Sequence, residues 1–213
     1  MNFKHKDFVL IANNEALCDI DQKFSLDLKD KNIIHFNKAI HFNNFLNKGL
    51  DNYLCLNSLS LEKFHGYELN LNRSLLFNSI FFLIRSVQID EDFFNRFGKY
   101  IESFPNQKKE IVINPKNCSD FLHGMPTAGF QMTYHLFNKY PNSKIYLIGF
   151  CGKHKLSNNK IALDGHNSDN EQLWYKKQSN IIHILNQKPC SPDFHYPCNI
   201  CKSLSFNDRN NKC

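Results

Sequence analysis

The chain lacks any apolar run long enough to cross a bilayer. Its most apolar stretch, Leu75 to Ile84, is interrupted by Asn78 and Ser79 and falls short of the ~20 residues that a spanning helix needs, so it reads as core. The opening Met-Asn-Phe-Lys-His-Lys-Asp has none of the charged region, apolar run and small-residue cleavage site of a signal peptide. A cytoplasmic protein is therefore expected. There is no internal repeat of the solenoid kind. No basic stripe interleaves with aromatics in the manner of a nucleic-acid surface, and no known nucleic-acid motif occurs, so no nucleic-acid partner is expected.

What is present is a globular composition. The 213 residues are 42% hydrophobic and 14% aromatic, with 20 Phe, enough to bury the core of one ordinary domain. A net charge of +6 suits an anionic partner such as a nucleotide, or peripheral contact with an anionic inner membrane. Of the eight cysteines, Cys18, Cys55, Cys118 and Cys151 are dispersed in contexts where reduced, buried thiols are common. The other four, Cys190, Cys198, Cys201 and Cys213, crowd the end of the chain. The reading is a domain over 1–188 and a Cys-rich tail over 189–213. Cys198-Asn-Ile-Cys201, with Cys190 and His195 upstream, has the form of half a tetrahedral zinc site, but no second Cys-x-x-Cys completes it. No metal is assigned.

Three short apolar runs each stop at asparagine: Phe8 to Ala12 before Asn13-Asn14, Asn32 to Phe36 before Asn37, and Tyr53 to Leu56 before Asn57. Such runs read as strands buried on both faces. Asparagine tolerates left-handed backbone and carries both a donor and an acceptor, which suits loops at the carboxyl ends of parallel strands. Ile80 to Ser86 and Glu91 to Phe104 carry apolar residues at mixed helical spacing, whereas Glu110 to Ile113 reads as a strand closed by Pro115. A helix is expected from Pro126-Thr127-Ala128-Gly129 through Tyr140, then a strand over Lys144 to Phe150 and a polar loop over Gly152 to Asp169. A short helix over Glu171 to Gln178, with Leu173, Trp174 and Lys177 on one face, and a last strand, Ile181 to Leu185, complete the pattern. In that helix Glu171 and Trp174 read as an N-terminal charge and a core anchor. Alternating strands and helices predict an α/β, Rossmann-like domain with a mainly parallel sheet, helices on both faces and a loop over the site.

Taken in order, these segments resemble the metal-independent sialyltransferases, both animal-type and bacterial lipooligosaccharide-type, across roughly residues 8 to 185. In that family one strand ends in a Gly-Asn loop and the next in Arg-Phe-Asn or Arg-Cys-Asn. A Pro-Ser-Thr-Gly or Thr-Ser-Gly helix start and a strand ending in Gly come later, with a His in a polar loop near the end. Here Asn13 and Asn14, then Asn37, then Thr127-Ala128-Gly129 before Gly149, then His166 stand in those places, with Asn57 similar to a further donor-binding Asn of the bacterial type. Ala12, His35 and Ala128 depart from the pattern, replacing Gly, Arg and a hydroxyl residue.

The resemblance implies transfer, with inversion, of sialic acid or a related keto sugar acid from a cytidine monophosphate (CMP)-activated donor to a surface glycan such as lipooligosaccharide or capsule. No cofactor beyond the donor substrate is implied. Asn13, Asn14, Asn37 and Asn57 would hold the nucleotide, Thr127, Ala128 and Gly129 the anionic group, and His166 would be the catalytic base. The chemistry is coherent. Asparagines suit a base and ribose, a helix start suits an anion, and an imidazole that is partly neutral near pH 7 accepts a hydroxyl proton. No Asp-x-Asp metal motif of the usual kind stands out. His154 competes with His166, since it also follows a strand's carboxyl end. Two other readings stay open: a non-catalytic zinc- or nucleic-acid-binding module, and a degenerate transferase fold that binds a nucleotide without turning it over.

Overall fold

The computed structural model describes residues 3–12, 27–37, 39, 49–57, 76–84, 91–102, 104–113, 122–150 and 168–185. Seven strands occur among them: β1 (Asp7–Ile11), β2 (Lys31–Phe36), β3 (Asp51–Asn57), β4 (Ser79–Ile84), β5 (Lys108–Ile113), β6 (Ile145–Ile148) and β7 (Ile182–Leu185). Three helices join them: α1 (Glu91–Glu102), α2 (Ala128–Lys139) and α3 (Ser168–Lys177). The strands form one sheet in the order β5-β4-β3-β2-β1-β6-β7, and every neighbouring pair is parallel. This is a Rossmann-like α/β domain.

The strand sequences explain why the sheet is covered on both sides. Phe8, Val9, Leu10 and Ile11 are all buried, as are Ile80 to Ile84 in succession, the continuous apolar pattern of an interior parallel strand. Side chains alternate across the sheet. Leu10, Ile34 and Tyr53, paired side by side, share a cluster with Phe130 and Leu136 of α2 and Tyr175 of α3. Leu54, Ile80 and Phe82 face the other way and pack with Phe93 and Phe97 of α1. Each fully buried Phe or Leu contributes about 1.5–3 kcal/mol, so these clusters hold the layers together.

The strand order dictates which face each helix takes. From β1 to β5 the sheet grows in one direction, and then β6 is added on the far side of β1. If crossovers keep one hand, reversing the direction of growth moves the helices to the opposite face. That is the observed division, α1 against α2 and α3.

At the amino ends of the strands a polar cluster replaces apolar packing. Asp51 accepts hydrogen bonds from His5 Nε2 at 2.8 Å and Asn78 Nδ2 at 2.9 Å, with Lys4 Nζ 3.2 Å away. Asn32 Nδ2 donates to the carbonyls of His5 and Asp7. Burial opposes ionisation of Asp51, but the hydrogen bonds from Lys4 and His5 outweigh it and hold the carboxyl below its usual value.

Two local expectations are corrected. Ile80 to Ile84 is strand, within β4, because its residues are buried on both faces between β3 and β5, a setting that periodicity alone does not distinguish from a buried helix. In α3 the buried positions are Glu171, Gln172 and Tyr175, while Leu173 is 55% exposed. Trp174 does anchor the layer, packing on Phe130 and Phe137 with ring centroids 5.1 and 5.3 Å away. No helix among the described residues is long and apolar enough to cross a membrane.

Candidate functional site

Open parallel sheets bind ligands beyond the carboxyl ends of their strands, at the point where the direction of strand addition reverses. Here that point lies between β1 and β6. The Ala12 N–H donates to the Ile148 carbonyl at 3.0 Å, so the two strands stay paired to their ends.

On the β2 side the rim is built by Asn37 and Asn57. Asn37 has a φ of 45°, the left-handed conformation that Asn tolerates better than most residues. Its N–H donates to the Cys55 carbonyl at 2.8 Å, and its Oδ1 accepts the Asn57 N–H at 3.1 Å. The parallel pairing of β2 with β3 brings these two asparagines together. Ala39, two residues on, is also left-handed at 46°, a conformation that costs a residue with a Cβ about 1–2 kcal/mol. His35 points into the interior, where it is 1% exposed and its Nε2 lies 3.1 Å from Asn52 Oδ1.

The start of α2 lies at the carboxyl ends of β4 and β5, where Gln131 Nε2 donates to the Ile84 and Val112 carbonyls at 3.0 and 3.4 Å, and it meets the Phe150 ring from just past β6. Thr127 is its N-cap, with Oγ1 accepting the Phe130 N–H at 3.0 Å. The same residue binds Glu171 of α3 twice. Its N–H donates to Oε1 at 2.6 Å and its hydroxyl to Oε2 at 2.9 Å. The anion on this helix start is thus the protein's own carboxylate, an arrangement the helix dipole and unpaired N–H groups favour. The sequence shows Glu171 as a first-turn charge of α3; nothing in its local pattern reveals that it serves α2.

Gly129 packs against the Phe150 ring, and a Cβ there would strike the Phe150 Cε1. The Phe150 ring meets Phe36 edge-on at 6.0 Å, so aromatic rings from the ends of β2 and β6 close over the end of β1, the strand between them. Glu171's neighbours complete a clamp: Asn170 Nδ2 donates to the Leu122 carbonyl at 2.9 Å, and Gln172 Nε2 to the Phe150 carbonyl at 2.7 Å. Three successive residues of α3 therefore hold the segment before α2, the start of α2 and the end of β6. Sequence reasoning missed Asn170 and Gln172.

No protein-family model, curated protein or solved structure matches this chain. The site is therefore argued from its own geometry. The fold brings Asn37 and Asn57 into direct contact and sets the helix start Thr127, Ala128 and Gly129 at the same carboxyl edge of the sheet. Asn13, Asn14, His154 and His166 lie outside the described residues, as does the Cys190 to Cys213 tail. Among the described residues no three His, Cys, Asp or Glu side chains gather as a metal site would require. Asp-x-Asp does occur twice, at Asp19 to Asp21 and at Asp90 to Asp92. Asp92 stands exposed in the first turn of α1, and the other three aspartates fall outside the described residues. The expectation of a metal-free reaction therefore rests on the resemblance.

Proposed function

We propose that this chain is a metal-independent glycosyltransferase that binds a CMP-activated sugar at the carboxyl edge of its sheet and passes the sugar, with inversion, to a surface glycan. The observation that supports this is topological. All seven strands are parallel, and the asparagine pair and the α2 helix start both stand at their carboxyl ends, the edge that carries the β1–β6 switch point. Of the residues that carry the family resemblance, Asn37, Asn57, Thr127, Ala128 and Gly129 thus share one sheet edge. Asparagine amides offer donors and acceptors that match a pyrimidine base and ribose, and Asn13, Asn14, Asn37 and Asn57 are assigned that role.

The reaction asks little beyond alignment. The acceptor hydroxyl oxygen attacks the anomeric carbon, the bond to the CMP phosphate breaks, and CMP departs with the bonding pair. His166 takes the hydroxyl proton. Holding the reacting atoms in line supplies most of the acceleration, since CMP is already a competent leaving group. A ligand that prefers the native state raises apparent stability, so CMP is expected to raise the melting temperature while purine nucleotides do not. His166→Ala is expected to keep that shift and lose transfer by about 10²-fold or more. Retained turnover would remove His166 from the mechanism. A shift with CMP but no transfer to any glycan would favour the nucleotide-binding, non-catalytic reading, and indifference to CMP would end both.

A further inference from the structure

β5 stands at one end of the sheet order, so one side of its backbone faces no other strand among the described residues. The strand at the opposite end, β7, has no exposed residue, whereas in β5 Ile111 and Ile113 are 49% and 60% exposed. Side chains alternate across a strand. Val112 joins the cluster beneath α2, so the two isoleucines face the α1 side, yet no β5 residue belongs to the cluster that α1 covers. Apolar side chains left bare on an open edge strand are what a further strand would cover.

On the other face a cleft of about 230 Å³ lies between β5 and α2, with Val112 and Ile113 on its strand side and Gln131, His135 and Asn138, at helical spacing, opposite them. None of its described lining comes from β4, so the cleft belongs to the free edge. The charges along this edge are uneven. Glu110 is engaged by His135 and Lys139 of α2, while Lys108 and Lys109 form no ion pair among the described residues. β5 thus begins with two uncompensated positive charges and ends with exposed apolar surface. Lysines on an edge keep most strands away, and a strand with carboxylates at the matching positions is the kind they attract.

We infer that β5 is a docking edge for an extended acidic segment of a partner protein, which adds to the sheet antiparallel to β5. Antiparallel pairing is the slightly stronger kind. It sets apolar residues of the segment against Ile113 and Ile111 and its carboxylates against Lys109 and Lys108, with a small polar side chain turned to the cleft. Main-chain hydrogen bonds supply the affinity and the alternating side chains the selectivity. The probe is a labelled peptide, Val-Thr-Val-Thr-Glu-Asp, matched to the six residues of β5, titrated into the full chain and followed by fluorescence anisotropy. It is expected to bind with a dissociation constant of about 1 mM or lower and to slow hydrogen exchange of the β5 amides. A copy ending in Lys-Lys, and a backbone N-methylated copy that keeps every side chain but donates no N–H, should each bind at least about tenfold more weakly. With Lys108→Glu and Lys109→Glu together the preference should reverse, the Lys-Lys copy binding more tightly than the acidic peptide. No binding of the acidic peptide at about 1 mM, or equal binding of the N-methylated copy, overturns strand addition, and both are read on the unaltered protein. Equal binding of the Lys-Lys copy there, or an unreversed preference in the folded variant, overturns the choice of an acidic partner. A dimer of the chain alone with protected β5 amides assigns the edge to a second copy and also overturns the proposal.

Discussion

Glu171 caps a helix to which it does not belong: its two carboxylate oxygens take the N–H and the hydroxyl of Thr127, 2.6 and 2.9 Å away. The pair joins α3 to the first turn of α2. Its charge also reaches Tyr175, one turn along α3, whose hydroxyl is pushed well above its usual range by burial and by the Glu171 carboxylate.

Removing that carboxylate strands two donors in the interior. Glu171→Ala should lower the unfolding free energy by about 1–3 kcal/mol, the cost of leaving such groups unpaired. Urea denaturation measures it. An unchanged midpoint would show that water satisfies Thr127 equally well.

Gly129→Ala has two opposed effects. Ala raises helix propensity by about 1 kcal/mol over Gly, but its Cβ would strike the Phe150 ring, itself held against Phe36, and overpacking costs about 1–3 kcal/mol. The single substitution should destabilise. In a Phe150→Leu background, where the ring is gone, the same change should turn neutral or stabilising. A double-mutant cycle with equal effects in both backgrounds would refute the contact.

Asn37 separates turn-forming from ligand-binding roles. Gly accepts its positive φ, and Ala does not, at a cost of about 1–2 kcal/mol. Both variants lose the Oδ1 acceptor of the Asn57 N–H, at about 0.5–1.5 kcal/mol, so Asn37→Gly is expected to melt a little below the unaltered protein and Asn37→Ala several degrees lower still. If Asn37 also contacts the nucleotide, both variants lose CMP affinity. Full CMP affinity in Asn37→Gly would leave the residue a turn former alone.

Asp51 sets an acid limit on stability. Its folded pKa is lowered, so its contribution is fully present above the unfolded value of about 3.9 and is lost as pH falls through the folded value. Asp51→Asn should cost about 1–3 kcal/mol at neutral pH, and the difference from the unaltered protein should shrink below about pH 4. Denaturant titrations at pH 7 and pH 3 test this, and a pH-independent difference would contradict it.

Much of the sheet was legible because a buried parallel strand leaves a simple trace, a short apolar run ended by a polar residue. Phe8 to Ile11, Ile33 to Phe36 and Tyr53 to Leu56 all show it. Ile80 to Ile84 was harder, since a run buried on every side carries no periodicity, and only its pairing with β3 and β5 reveals a strand. Thr127 was readable as a helix cap from its position before Ala128 and Gly129. Its partner Glu171 was not, because the two lie 44 residues apart and no local pattern links them.

By itself, the amino-acid order determined the succession of strands and helices, the reduced state expected of Cys55, which is free and buried, and the asparagines that end the strands. Burial preference and backbone propensity act over a few residues and are written locally. The placement of β6 beside β1, the junction of Asn37 with Asn57, and the seating of Glu171 on the start of α2 were decided only by the tertiary structure. They arise when separate apolar faces share one sheet, and the energy that selects them belongs to contacts between distant parts of the chain.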